Sequence, residues 1–174
     1  MTTTTETTKT ETATTPHPEA RLNLFANPLT RKFFGHLTTA VRALGDSTLP
    51  AATAELVKIR ASQINGCGMC LDMHTKEAMA AGETPLRLNL VATWREATVF
   101  TEAERAALAL TEEGTRLADA SPGVTDTTWS RAAEHYDEDE LAALITLIAV
   151  INMYNRFNVI VRQPAGGYEP GMFG

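Results

Sequence analysis

The segment from Leu141 to Val161, LAALITLIAVINMYNRFNVIV, carries one charged side chain, Arg156, in twenty-one residues. Wound as a helix it is apolar on nearly every side, so it needs protein around most of its circumference. Its uncharged run from Leu141 to Asn155 is fifteen residues, short of the roughly 20 that a bilayer span requires, and Asn152 and Asn155 interrupt it. A core helix or a subunit-interface helix is the remaining reading. No segment of the chain alternates apolar and polar residues over a strand length, and no internal repeat is evident. The expected fold class is therefore all-α, a helical bundle of about six or seven helices.

The remaining helices announce themselves by caps and stops. Asn27-Pro28 supplies an N-cap and a proline at the first position, and Leu29, Phe33, Leu37, Val41 and Leu44 recur at helical spacing until Gly45. Leu49-Pro50 opens a second helix over about 51–64, with Leu56 and Ile59 on its buried face and Glu55 beside them. Asn65-Gly66 gives the left-handed turn that ends it. A third helix follows at once and runs to Ala81. Thr84-Pro85 starts another, through about Trp94, and Thr101 with Glu104 forms a capping box for one reaching about Asp119. Thr125 or Asp126 caps a short helix to His135, and Asp137 with Glu140 makes a second capping box ahead of the apolar segment.

Length and charge bound the function. At 174 residues and 44% hydrophobic the chain can bury one core and is too short for two ordinary domains. Residues 1–18 are dominated by Thr and read as a disordered tail. Residues 19–164 form the helical domain, and 165–174, rich in Gly and Pro, form an irregular C-terminal tail. Fifteen basic and twenty-one acidic residues give a net charge of −6, which with no basic run argues against nucleic acid and against an anionic membrane surface as partners. The first residues, MTTTTETTKTETATTPHP, lack the apolar stretch of a signal peptide, so the expected location is cytoplasmic.

Chemistry concentrates between Glu55 and His74, in ELVKIRASQINGCGMCLDMH. Cys67 and Cys70 stand at i and i+3 and His74 at i+4 from Cys70, which puts two thiols and a base on one helical face. If the second and third helices form a hairpin about Gly66, Glu55 lies eleven residues before the hinge and His74 eight after it. Glu55 can then reach His74 or the thiols. Thiolate is the reactive form of cysteine, and a free thiol with a pKa of about 8.5 is mostly protonated at neutral pH. A base beside it raises the reactive fraction. His74 would serve Cys70, and Glu55 would orient or recharge His74. Attack on a peroxide leaves a sulfenic acid on one cysteine, and its partner condenses with it to a disulfide. An external dithiol must then reset the pair, and no cofactor is called for.

Glu, eleven residues, Cys, two residues, Cys, three residues, His, followed by helices ending in INMYNRFNVIVRQP, resembles the AhpD-like alkylhydroperoxidases of the carboxymuconolactone decarboxylase superfamily. The likeness covers most of residues 20–164 and is specific over 55–74. It implies that Cys70 is the peroxide-attacking thiol, Cys67 the resolving thiol, and Glu55 with His74 the proton relay. It also implies a hydroperoxide substrate, a dithiol reductant and a homo-oligomer, trimer or hexamer. Some peroxidase members carry a second His between the cysteines where this chain has Met69, so the implied relay is shorter. Two other readings share these residues: a carboxymuconolactone decarboxylase-type enzyme, which needs no redox pair, and a zinc-stabilised oligomeric binding module with Glu55 as fourth ligand. His17, His36 and His135 lack a second acid or thiol in step and read as surface or capping residues. Met69 and Met73 read as packing, with Met69 shaping access to the thiols, and Trp94 and Trp129 as core or interface anchors. For Asn152, Asn155 and Arg156, hydrogen bonds across a subunit interface are the first expectation and a substrate contact the second.

Overall fold

The computed structural model describes residues 19–120 and 122–172; the disordered tail expected over 1–18 lies outside them. Among the described residues there are seven α-helices and no strand: α1 Pro28–Arg42, α2 Ala51–Asn65, α3 Gly68–Ala80, α4 Pro85–Leu90, α5 Glu102–Thr115, α6 Asp126–Ala133 and α7 Glu138–Val161. Short 3₁₀ turns follow α1 at Ala43–Asp46 and α4 at Val91–Thr93.

The bundle is built around α2, which packs against α3, α5 and α7. Leu56, Val57, Ile59, Ala61 and Ser62 are all buried, so neighbours surround most of its circumference. On one side Leu56 and Ile59 meet Ala78, Leu88, Val91, Trp94 and Leu108. On the other, Val57 meets Leu110, Ala132, Tyr136, Leu144 and Ile148. Both capping boxes form, Thr101 with Glu104 and Asp137 with Glu140, each satisfying two N–H groups at a helix start.

Two helices stop earlier than periodicity suggests. α4 gives way to its 3₁₀ turn before Trp94, whose carbonyl accepts from Arg105 Nη1 at 2.8 Å and whose indole N–H donates to Glu112 at 2.9 Å. These bonds draw that residue toward α5 rather than along the α4 axis. α5 ends at Thr115, not Asp119, because Glu113 accepts from the Thr125 N–H and the Thr128 hydroxyl, both at 2.7 Å. The chain between must turn back on itself for Thr125 to cap α6.

The apolar stripe of α1 is the larger surprise. None of its residues is buried, and Leu29 is 78% exposed. Its amphipathic pattern is real, but the helix leans over the body instead of entering the core. Phe34 stacks on Tyr154 at 6.2 Å and meets Phe157 edge-on at 5.1 Å. α7 likewise offers only one face to the core. Leu144, Leu147, Ile148 and Ile151 are buried, whereas Ile145, Val159 and Ile160 are exposed. By length and composition α7 is able to cross a membrane, a test that core helices also pass.

Candidate functional site

Asn65 ends α2 and Gly66, at φ 67°, takes the left-handed conformation that reverses the chain. The Cys67 N–H then bonds the Ser62 carbonyl at 3.0 Å, closing the hairpin into α3. Cys67 is the N-cap of α3 rather than a member of it, and its Sγ accepts the Cys70 N–H at 3.2 Å. Both cysteines are buried and joined in a disulfide, with Cα atoms 5.4 Å apart. They pack against Ala61 of α2 and Ile151 of α7.

His74 lies one turn beyond Cys70, buried, and its Nδ1 is 3.0 Å from Glu55 Oε2 across the hairpin. Lys58, one turn along α2, pairs with the other oxygen of Glu55. Burial by itself raises the Glu55 pKa, but the hydrogen bond from His74 and the charge of Lys58 outweigh it, so Glu55 is held below the ordinary carboxylate value. Burial lowers the His74 pKa and Lys58 adds to this; the hydrogen bond to Glu55 opposes them without cancelling them. At neutral pH the pair is therefore carboxylate and neutral imidazole. A carboxylate only accepts, so Nδ1 carries the proton and the Nε2 lone pair is the basic site.

A cavity of about 1100 Å³ opens over these groups. Cys70, His74, Glu55, Lys58 and Glu77 stand on its polar side, and Phe34, Leu147, Tyr154 and Phe157 are among its apolar walls. Cys70 lines this cavity and Cys67 does not. Met69 and Met73 line it as well, which places the residue between the thiols at the approach to them.

All four residues singled out by spacing, Glu55, Cys67, Cys70 and His74, meet in this one place. Sequence reasoning missed three others. Lys58 was visible at i+3 from Glu55 and could have been paired with it. Asn158 donates from Nδ2 to Cys70 Sγ at 3.3 Å, and its only sequence signal is that it stands seven residues beyond Ile151, on the same face of α7. Tyr168 is buried within the C-terminal segment. That segment is irregular but docked on α3: Asp72 accepts the Gly166 and Tyr168 N–H groups at 2.6 and 3.0 Å, Lys76 donates to the Tyr168 carbonyl at 2.6 Å, and Glu77 accepts the Tyr168 hydroxyl. A Cβ on Gly68, between the cysteines, would come within 3.3 Å of Ala165, so the segment also covers the back of the Cys-Gly-Met-Cys turn.

The two buried amides expected to bond across a subunit interface or to substrate, Asn152 and Asn155, spend their hydrogen bonds inside the chain. Asn155 and Asn152 both accept from Asn65 Nδ2, at 2.8 and 2.9 Å, and they donate to Ser62 and to Thr115, each at 3.0 Å. Arg156 donates to the Asn152 carbonyl of its own helix at 2.8 Å. Among the described residues His36, His135 and Trp129 are exposed, Trp94 is core, and no group of three His, Cys, Asp or Glu is placed to hold a metal ion. His17 lies outside the described residues.

A family model described as the carboxymuconolactone decarboxylase family matches residues 28–113, a span that includes Glu55, Cys67, Cys70 and His74 but neither Asn158 nor Tyr168. YdfG, an uncharacterized protein of Bacillus subtilis strain 168, is 41% identical over 119 residues, 68% of this chain and 80% of that protein. A protein of unknown function from Agrobacterium tumefaciens, with a suggested place in antioxidant defence as AhpD, superimposes with a TM-score of 0.77 at 33% identity, covering 86% of this chain and 100% of the other. The debrominase Bmp8 shares the fold at 21% identity, with a TM-score of 0.68 over 83% of this chain and 75% of its own.

Proposed function

The chain belongs to the carboxymuconolactone decarboxylase superfamily as an AhpD-like member, and on that premise we propose that it is a thiol-dependent peroxidase that reduces organic hydroperoxides and is recycled by an external dithiol. The observation that carries the reading is the placement of Cys70, one sulfur of a closed pair, on a cavity wall beside a buried His74–Glu55 dyad.

In the reduced protein the Nε2 of His74 takes the Cys70 proton, and Glu55 stabilises the imidazolium so formed. The Cys70 thiolate attacks the hydroperoxide oxygen; the O–O bond breaks, sulfur is oxidised to sulfenic acid, and the departing alkoxide takes the proton from His74 to leave as alcohol. Cys67 loses its proton to become a thiolate at the N-terminus of α3, where the helix dipole favours negative charge. It attacks that sulfur and breaks the S–O bond, and the expelled hydroxide takes up the proton that Cys67 gave and leaves as water. An incoming dithiol then exchanges with the disulfide, is itself oxidised, and returns both cysteines as thiols. In a reducing cytoplasm, the compartment proposed here, a pair three residues apart is of more use as a turnover device than as a staple, because so short a loop constrains the unfolded chain little.

The direct test is mass spectrometry of reduced protein before and after one equivalent of cumene hydroperoxide. The expected result is loss of two hydrogens from the peptide holding Cys67 and Cys70. An unchanged mass, or oxidation confined to methionine, removes the peroxidase reading.

The proposal includes a homo-oligomer. Phe33 on α1 and Ile145, Val159 and Ile160 on α7 are exposed apolar groups, Ile160 at 67%, and a second copy would remove them from water. Light scattering at micromolar concentration is expected to give a mass of three or six chains of 18.8 kDa. A stable monomer overturns it.

A further inference from the structure

Asn158 stands near the end of α7, a helix that packs directly on α3, and is 88 residues away in sequence from the sulfur it touches. Its backbone is held firmly. The Asn158 carbonyl accepts the Gln163 N–H at 2.8 Å, and the turn that allows this has Arg162 at φ 54°, the one non-glycine residue with positive φ among the described residues. A left-handed arginine costs energy that glycine would not, and this turn both fixes Asn158 and launches the segment that carries Tyr168. Arg87, Arg60 and Arg95 each pair with carboxylates elsewhere. No arginine lines the cavity with Cys70, and the side-chain donor on its sulfur is an uncharged amide.

Resting on the peroxidase reading, we infer that Asn158 is a catalytic residue for the reacting sulfur: its amide N–H holds the Cys70 thiolate in place and selects Cys70, not Cys67, as the thiol activated at the cavity. A disulfide sulfur is a weak acceptor and a thiolate a strong one, so the same contact gains strength when the pair is reduced and Cys70 ionises. Cys67 has its own donor, the Cys70 backbone N–H, so each sulfur is addressed separately. The ionisable groups that share the cavity with Cys70 are Glu55 and Lys58 of α2, His74 and Glu77 of α3, Tyr154 of α7 and Tyr168 of the C-terminal segment. The amide adds to them a donor that does not titrate and so acts at every pH.

The test reads the thiol and not the turnover. In a Cys67→Ser background Cys70 is the single thiol, and the rate of its alkylation by iodoacetamide against pH gives its apparent pKa. Asn158→Leu keeps the bulk and removes the donor. The apparent pKa of Cys70 should rise by about one unit, the scale of one hydrogen bond to a charged group, with no change for Cys67 in a Cys70→Ser background. Asn158→Asp keeps the shape, and by replacing the donor with a negative charge it should raise the value further. Profiles that coincide with and without Asn158, or equal shifts at both cysteines, overturn the inference. Because no peroxide enters the assay, a protein inert to cumene hydroperoxide that still shows the selective shift would sink the peroxidase reading and the catalytic role with it, and keep Asn158 as the donor that selects the Cys70 thiolate.

Discussion

Replacing Glu55 by Gln is expected to slow oxidation of the reduced protein by hydroperoxide roughly 10²- to 10⁴-fold at pH 7, the range that general-base assistance usually supplies. Gln preserves the volume beside His74 and loses the negative charge. Two consequences follow from the geometry. The His74 imidazolium forms less readily, since the hydrogen bond and charge of Glu55 are what oppose its depression by burial and Lys58. The Nδ1 proton is also less firmly kept on the Glu55 side, because the Gln amide can present either donor or acceptor. In the wild type burial and Lys58 hold the His74 pKa below the ordinary histidine value, so the base is neutral at pH 7 and its rate should hold across pH 7 to 9 and drop only as acid protonates His74. The variant should instead gain rate as pH rises toward the intrinsic thiol value of about 8.5, where thiolate forms unaided. Closure of the Cys67–Cys70 bond after oxidation should survive, because Glu55 touches neither sulfur in that step. Stopped-flow oxidation from pH 6 to 9 decides the matter: equal rates at pH 7 would take Glu55 out of the mechanism.

What the sequence discloses about this site follows distance along the chain. Cys67, Cys70 and His74 are within two turns of one another, and Glu55 is brought to them by a hairpin whose hinge, Asn65-Gly66, is written in residue types that favour a left-handed turn. Such relations need only helical geometry. Asn158 and Tyr168 depend instead on how α7 crosses α2 and on where an irregular segment comes to rest, and an apolar helix with few distinguishing residues specifies neither. The same limit explains α1. Its spacing of apolar residues identifies a helix correctly, yet periodicity says which face is apolar and not whether the core has room for it. Phe34 finds Tyr154 and Phe157 at the cavity wall, while Leu29 finds water. Those aromatic groups make the access to Cys70 a property of the whole fold, which the Glu-Cys-Cys-His spacing alone does not convey.

The buried amides of α7 carry the largest expected effect on stability. Asn155 is fully buried, and among the described residues every buried side-chain nitrogen and oxygen has a partner. Asn155→Ala would leave Asn65 with one acceptor instead of two and would strip Ser62 of its donor, although Ser62 keeps its bond to the Lys58 carbonyl at 2.7 Å. Losing two buried hydrogen bonds and leaving a small void should cost about 3 kcal/mol, a fall in Tm of roughly 6–12 °C for a domain of this size. Asn155→Leu fills the void but restores neither hydrogen bond, so it should recover only part of the loss. The damage would also be felt at the site, because Asn65 is the last residue of α2 and Ser62 holds the Cys67 N–H through its carbonyl. A looser hinge should slow formation of the Cys67–Cys70 bond even where the protein remains folded. Urea denaturation of wild type, Asn155→Ala and Asn155→Leu measures the first effect, and the rate of disulfide closure below the transition measures the second. A loss under 1 kcal/mol for the alanine variant would mean that water replaces the amide without penalty, and the network would then not be what seats α7 against the hairpin.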